Sequence, residues 1–480
     1  MNYQYDMIVI GGGAAGLVAA GMSALLGVKT ALIEQHRLGG ECTWTGCVPS
    51  KTLLRVSKAV HQMKTAERFG LPPIDPQFDF SRVMDHVRQT RQTIYRQADA
   101  PSNLEKLAVD VIRGSARFCD PHTIEIVDSA MTRRITSRYF VIATGSRPKT
   151  ADFSKRALTN ETIFELKSQP KRLLVMGAGP VGIEMAQAFC RLGSEVTVVS
   201  DSKRILPRDD PEQAGQLQDY LSEEGVSFVF RQKVVALEER ENGLNALLEN
   251  GHMLPCDAAL AAMGREPFIE DLRLNDAGVR YGVEGITVDD HARTSQHHIY
   301  AAGDVTGRYR FTHMAEHMSK VAVTNAILRW PQKLDQSHVV WVTYTDPELA
   351  HLAASEQQLR QSRKKYTTYR FPFTSLDRAI TDGDTRGEVK VFADRSGRIL
   401  GASIFGAHAG EMISEFALAM RNNLRLSQVA STIHPYPTYS LANRRVADLF
   451  VAKQLDSPLL GILGRILRYR GQRRGSSMLE

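Results

Sequence analysis

Tyr5-Asp6-Met7-Ile8-Val9-Ile10-Gly11-Gly12-Gly13-Ala14-Ala15-Gly16 opens on a short apolar strand and runs into three glycines at GxGxxG spacing. An apolar helix follows from Leu17 to Leu26, and Lys29-Thr30-Ala31-Leu32-Ile33 is the next strand, ending at Glu34. Each glycine has a task. Gly11 permits the tight turn, Gly13 lets the backbone approach a pyrophosphate, and Gly16 lets helix and strand pack closely. The helix N-terminus then faces the phosphates, and Glu34 accepts a hydrogen bond from a ribose hydroxyl. All the parts of a dinucleotide-binding unit stand here in order.

The same unit recurs in mid-chain. Arg172 to Met176 is a strand, Gly177, Gly179 and Gly182 are its fingerprint, and Ile183 to Leu192 is helical before the strand Glu195 to Val199. Two such units imply electron transfer between two nucleotide cofactors, because a simple dehydrogenase needs one. Their second strands end differently. Ser200 stands where an acidic residue would favour NADH, while Lys203 and Arg204 would suit the 2′-phosphate of NADPH. Asp201 keeps NADH open, so the reading is NADPH or NADH with a lean to NADPH.

Between the units lies Gly39-Gly40-Glu41-Cys42-Thr43-Trp44-Thr45-Gly46-Cys47-Val48-Pro49-Ser50-Lys51, followed by a helical run from Thr52 to Met63. Two cysteines five apart at the start of a helix suit a small disulfide loop. The helix N-terminus and Lys51 both favour a thiolate once that bond is reduced. A zinc site would need two further ligands, and no second cysteine pair or spaced histidine pair supplies them, so no metal is expected.

These motifs resemble the class I pyridine nucleotide-disulfide oxidoreductases, in particular mercuric-reductase-like and lipoamide-dehydrogenase-like members. Ala143-Thr144-Gly145-Ser146-Arg147-Pro148 resembles the segment that returns the chain from the FAD domain. Ile299 to Asp304 resembles the second FAD motif, and Phe311-Thr312-His313-Met314-Ala315 resembles the stretch beside the flavin ring. Tyr344-Thr345-Asp346-Pro347-Glu348 resembles the opening of the dimerisation domain. The resemblance implies an α/β fold with two nested Rossmann-like domains and a C-terminal α+β dimerisation domain. FAD would occupy 1–150 with 275–335, NAD(P) 151–274 and the interface 336–455, leaving 456–480 as a basic tail.

It also implies a homodimer and a route for electrons. NAD(P)H would reduce FAD on one face, and FAD the Cys42–Cys47 disulfide on the other. Cys47 would be the charge-transfer thiolate, Cys42 the interchange thiol, and Lys51 a flavin neighbour paired with Glu184. Gly145, Asp304, His313 and Ala315 would line the FAD site, with Asp304 on the ribitol chain.

One segment departs from the family. Disulfide reductases supply a His-Glu pair from the second subunit, where the histidine moves protons. Here His434-Pro435-Tyr436-Pro437-Thr438-Tyr439-Ser440-Leu441 puts Tyr436 at the histidine position and Leu441 at the glutamate position. A phenol of ordinary pKa ~10 is a poor base at neutral pH. Tyrosine there resembles mercuric reductase, yet that enzyme delivers metal through C-terminal cysteines, and the last cysteine here is Cys256. The expected acceptor is therefore a small molecule whose identity stays open: a disulfide, a metal ion or a similar species. Reduction of quinone or oxygen directly from the flavin is the alternative, and a membrane-associated redox partner or sensor is another.

Bulk properties agree. Of the net charge of +7, the short stretch 456–480 carries +3, with Arg465, Arg468, Arg470, Arg473 and Arg474 against Asp456 and Glu480, so the main body is close to balanced and no nucleic-acid footprint is indicated there. With scattered Cys119, Cys190 and Cys256 and no signal-like or membrane-spanning apolar run, a cytoplasmic protein is expected. From Ser457-Pro458 onward, Leu459, Leu460, Ile462, Leu463, Ile466 and Leu467 share about half of a helical wheel opposite Arg465 and Arg468. That pattern suits a helix packed on its own dimer or one lying peripherally on a membrane surface.

Overall fold

In the computed structural model, three of the sheets organise the chain around the site, and the residues described are 2–128, 131–149, 156–241, 243–307, 309–456, 462, 466 and 467. The first sheet is built on Tyr5–Ile10, whose Met7, Ile8 and Val9 have no exposed surface. It pairs in parallel with Thr30–Glu34 on one side and with the end of Thr132–Ile142 on the other. Val109–Arg113 extends one edge. Ile299–Ala301 joins Thr132–Ile142 in parallel, so a strand from beyond the second nucleotide unit completes the first sheet. Burial on both faces explains the near-continuous apolar runs of these strands.

The second unit repeats the pattern on a smaller scale. Its parallel sheet runs in the order Ser227–Phe230, Glu195–Ser200, Arg172–Met176, Ala258–Ala261. A short antiparallel pair, Ser146–Pro148 with Arg265–Pro267, carries the chain out of the first unit and back. The third sheet is antiparallel and five-stranded, from Val340–Thr343 to Thr367–Pro372, and the helices Ala409–Arg421 and Leu441–Leu455 pack on it.

Several helices start earlier than the apolar pattern suggested. The fingerprint helices are Ala14–Leu25 and Pro180–Arg191, each beginning directly after the second glycine of its motif. The helix expected from Thr52 begins at Cys47 and runs to Lys64. Its first turn holds Pro49, which a helix tolerates there because the first amides have no carbonyl partner. The tail reading falls outside the described residues, save that Ile462, Ile466 and Leu467 are exposed. Among the described residues, no helix is long and apolar enough to cross a membrane.

Candidate active site

A cavity of about 1140 Å³ opens at the carboxyl end of the first sheet. Its floor is the first fingerprint. A Cβ on Gly11 would lie 2.4 Å from the Ala143 carbonyl oxygen, and one on Gly16 would lie 1.7 Å from that of Gly11. Only glycine fits either place. Gly13 faces more open space, with Gly40 Cα at 3.8 Å as its nearest neighbour, and no side chain caps the Ala14–Leu25 helix. Free amides at a helix N-terminus beside such a gap suit a pyrophosphate.

Glu34 lies at the end of its strand in the same wall, its carboxylate accepting from the amides of Gly12 and His36, both at 2.7 Å. Gly145, Asp304 and Ala315 line the cavity as well. Asp304 accepts from the Ser146 hydroxyl at 2.6 Å. Arg265 reaches Asp304 at 3.8 Å, donates to the Ser146 hydroxyl at 2.8 Å, and pairs closely with Glu41. Asn160 donates to the other Glu41 oxygen at 3.0 Å. Burial pushes the Glu41 carboxyl up to about 7, with Arg265 opposing. Glu41, Asn160 and Arg265 come from three separate segments, so this polar wall was not visible in the sequence.

The cysteines stand in the same cavity. Cys42 lies on the short helix Gly40–Trp44, and Cys47 is the first residue of Cys47–Lys64. Their sulfurs stand close enough for a hydrogen bond between them. A hydrogen bond from Cys42 and the Lys51 ammonium lower the Cys47 pKa. The same contact with Cys47, together with burial, raises that of Cys42. A dithiol polarised in this way puts the first negative charge on Cys47.

Lys51 Nζ sits 2.8 Å from Glu184 Oε2. Burial works to lower the lysine pKa, but Glu184 outweighs it and the net shift is upward. Glu184 lies on the second fingerprint helix, and its other oxygen accepts from the Tyr344 amide at 2.9 Å. The ammonium also sits 4.6 Å from the centre of the Tyr344 ring. One carboxylate thus ties the cysteine helix, the second nucleotide unit and the start of the third sheet together.

In the second unit, a Cβ on Gly177 would lie 2.3 Å from the Ala262 carbonyl oxygen, and one on Gly182 would lie 2.1 Å from that of Gly177. Gly179 has nothing within 4 Å, which leaves the phosphate-facing position clear. Ser200 is buried at the strand end, and Lys203 is exposed. Arg204 is placed differently from expectation. Its guanidinium donates to the carbonyls of Ile205, Leu206, Pro207 and Asp209 at 2.9–3.3 Å, so it braces its own loop rather than facing a 2′-phosphate.

Two other expected residues lie outside the cavity. His313 is exposed and hydrogen-bonded to the Val340 carbonyl at 2.8 Å, and its neighbour Thr312 lines the cavity instead. Helical spacing explains this, since Thr312 and Ala315 are three apart and share a face that His313 does not. Tyr436 is 68% exposed and donates to Asp377 at 2.8 Å, away from the cysteines of its own chain. That bond raises its pKa, which leaves the phenol a donor at neutral pH. His434 is held on both nitrogens, by Glu415 at 2.9 Å and the Thr432 carbonyl at 3.0 Å.

Residues 5–319 match the family described as pyridine nucleotide-disulphide oxidoreductase, and residues 339–445 match its dimerisation domain. The chain belongs to the pyridine nucleotide-disulphide oxidoreductase family. Members of this family use FAD and NAD(P)H, and this chain is a flavoprotein disulfide oxidoreductase of that kind. It is 33% identical over 443 residues to a dihydrolipoyl dehydrogenase of Geobacillus stearothermophilus, covering 91% of this chain and 94% of that one. It is 32% identical over 446 residues to a mercuric reductase of Bacillus cereus, covering 91% and 70% respectively. The Cu(II) complex of the HOCl-induced flavoprotein disulfide reductase RclA from Escherichia coli superposes with a TM-score of 0.84 at 26% identity, covering 94% of this chain and all of that one. The dimerisation-domain match supports a homodimer.

Proposed function

We propose that this protein passes electrons from NAD(P)H through FAD to the Cys42–Cys47 pair, and from there to a small thiol-reactive acceptor. One observation carries the reading: both cysteines and the Lys51–Glu184 pair line the cavity into which the first glycine fingerprint opens. When bound, FAD supplies a two-electron relay between nicotinamide and dithiol.

The chain's own residues do the rest. Gly11, Gly13 and Gly16 admit the cofactor backbone, Glu34 and Asp304 accept its hydroxyls, and Gly145 and Ala315 leave it room. Gly177, Gly179, Gly182, Ser200 and Lys203 receive the nicotinamide cofactor in the second unit. With Arg204 committed to its loop, Lys203 is the cation left from the expected pair. Lys51 holds the Cys47 thiolate, and Glu184 keeps Lys51 charged. Cys42 attacks the acceptor, and Tyr436 of the partner subunit donates a hydrogen bond there once its O–H turns from Asp377. The FAD unit spans 1–150 and 275–335, the nicotinamide unit 151–274 and the interface 336–455.

Tyr436 and Leu441 argue against the usual proton exchange with an ordinary disulfide. The names of the relatives, a dihydrolipoyl dehydrogenase and a mercuric reductase, point instead to a range of soft sulfur and metal partners. The test is steady-state turnover with NADH and NADPH against low-molecular-weight disulfides, thiol-bound Hg(II), amino-acid-chelated Cu(II) and a soluble quinone. Turnover with a disulfide or either metal complex, lost in a Cys42→Ser/Cys47→Ser variant, is the expected result. Turnover with quinone alone, unchanged in that variant, would establish direct reduction from the flavin instead.

A further inference from the structure

The cysteine pair has a close neighbour from a distant part of the chain. Thr312 is the first residue of the helix Thr312–Val323. Its hydroxyl donates to Cys42 Sγ at 3.4 Å and lies 3.6 Å from Cys47 Sγ, where either atom can be the donor. A hydroxyl hydrogen turns freely about its C–O bond, so this one group can serve either sulfur.

The pair needs such a group. The attacking species in exchange is a thiolate, yet the resting charge belongs on Cys47 while Cys42 holds its proton. Charge must therefore move between the sulfurs before Cys42 can attack. Among the other polar groups nearby, the Lys51 ammonium favours the charge on Cys47, and Glu41 is held by Arg265 and Asn160. Burial raises the Tyr344 pKa, so its phenol remains protonated at neutral pH.

We propose that Thr312 is a catalytic residue of the dithiol, a single hydroxyl donor that follows the negative charge from Cys47 to Cys42. In this step the S–H bond of Cys42 breaks, its proton passes to Cys47 Sγ, and an S–H bond forms there. One negative charge moves the opposite way and no electron changes hands. The Thr312 O–H, within reach of both sulfurs, donates to Cys42 when the charge arrives there, so Cys42 becomes a nucleophile without a histidine. The inference rests on the dithiol reading given above.

The test is the pH dependence of iodoacetamide alkylation of the NADPH-reduced holoenzyme, with the labelled cysteine assigned by mass spectrometry. Thr312→Val keeps the side-chain shape and removes the donor. Hydrogen bonds to charged groups are among the stronger ones, so Cys42 labelling near neutral pH should fall about tenfold. Its apparent pKa should rise by about one unit, the equivalent of that factor. Thr312→Ser should stay within about threefold of the parent, since it restores the hydroxyl. Retained flavin absorbance checks the fold, and Thr312→Ala replaces the valine variant if that variant loses FAD. A valine or alanine profile that overlays the parent would overturn the inference, as would a serine variant as impaired as valine. Either result, with turnover still abolished by Cys42→Ser/Cys47→Ser, removes the role of Thr312 alone; full turnover of the double variant removes the dithiol reading itself.

Discussion

Cys42→Ser is expected to lower turnover with a disulfide or thiol-bound metal by about 10³-fold or more, the scale seen when a catalytic nucleophile is removed. The variant should still accept hydride from NAD(P)H, because Cys42 is not part of the nicotinamide unit. The two cysteines should then differ. With Cys42 gone, Cys47 keeps the Lys51 ammonium and the Thr312 hydroxyl, although it loses the hydrogen bond that most favours its thiolate. With Cys47 gone, Cys42 loses the neighbour that takes its proton, and burial alone still raises its pKa. Rapid-reaction spectroscopy of both variants checks this. Flavin reduction near the parent rate in each, with the acceptor step blocked in each, is the expected pattern. An acceptor step that survives in Cys42→Ser would show that Cys42 is not the attacking sulfur.

Lys390→Met is expected to destabilise the protein by about 3–5 kcal/mol, the usual result of stripping one partner from a buried ion pair. Lys390 is 1% exposed and reaches Asp210 at 2.8 Å and Glu212 at 3.1 Å, across the contact between the third sheet and the second nucleotide unit. Asp210 is itself 3% exposed, and it caps the helix Pro211–Glu223 by accepting from the amides of Glu212 and Gln213. Removing Lys390 would leave that carboxylate buried without its cation. Urea unfolding of the FAD-loaded protein at fixed concentration measures the loss, and Lys390→Met/Asp210→Asn should recover part of it. A change of less than about 0.5 kcal/mol, the range of ordinary surface substitutions, would contradict this account.

Glu212 adds a pH dependence to the same contact. The Arg370 hydrogen bond is the main cause that lowers its carboxyl to about 2. A depressed carboxyl contributes fully above its unfolded value of ~4.3. That contribution is lost as pH falls through the folded value, so this contact weakens between those two points.

Much of this site could be read from local patterns. Both glycine fingerprints act within one strand–turn–helix unit, and their steric demands are met by backbone a few residues away or on the neighbouring strand. Cys42, Cys47 and Lys51 lie within one short segment, so their spacing alone placed them together. Glu184 was reached through the family resemblance, which pairs Lys51 with a carboxylate on the second fingerprint helix.

What the sequence concealed depends on tertiary approach or on a loop's internal needs. Thr312 sits 265 residues from Cys47, and the motif Phe311 to Ala315 that resembles the stretch beside the flavin does not single it out as a neighbour of the cysteines. Arg265, Glu41 and Asn160 meet only because three segments converge on the cavity wall. Arg204 misled for the opposite reason: beside Lys203 at a strand end it suggests a phosphate ligand, but the turn that follows presents four carbonyls to its guanidinium. A buried carbonyl without a donor is costly, so a nearby guanidinium is drawn inward.

Anaerobic titration of the oxidised holoenzyme with NADPH or NADH tests the central claim most directly, because it counts the electron pairs that the protein stores. A working Cys42–Cys47 couple beside FAD predicts two nicotinamide equivalents taken up per flavin before free reduced nicotinamide accumulates, and one in the Cys42→Ser/Cys47→Ser variant. One equivalent in both proteins, with the flavin fully bleached by it in each, would mean that the cysteines take no part in electron storage, and would contradict the account.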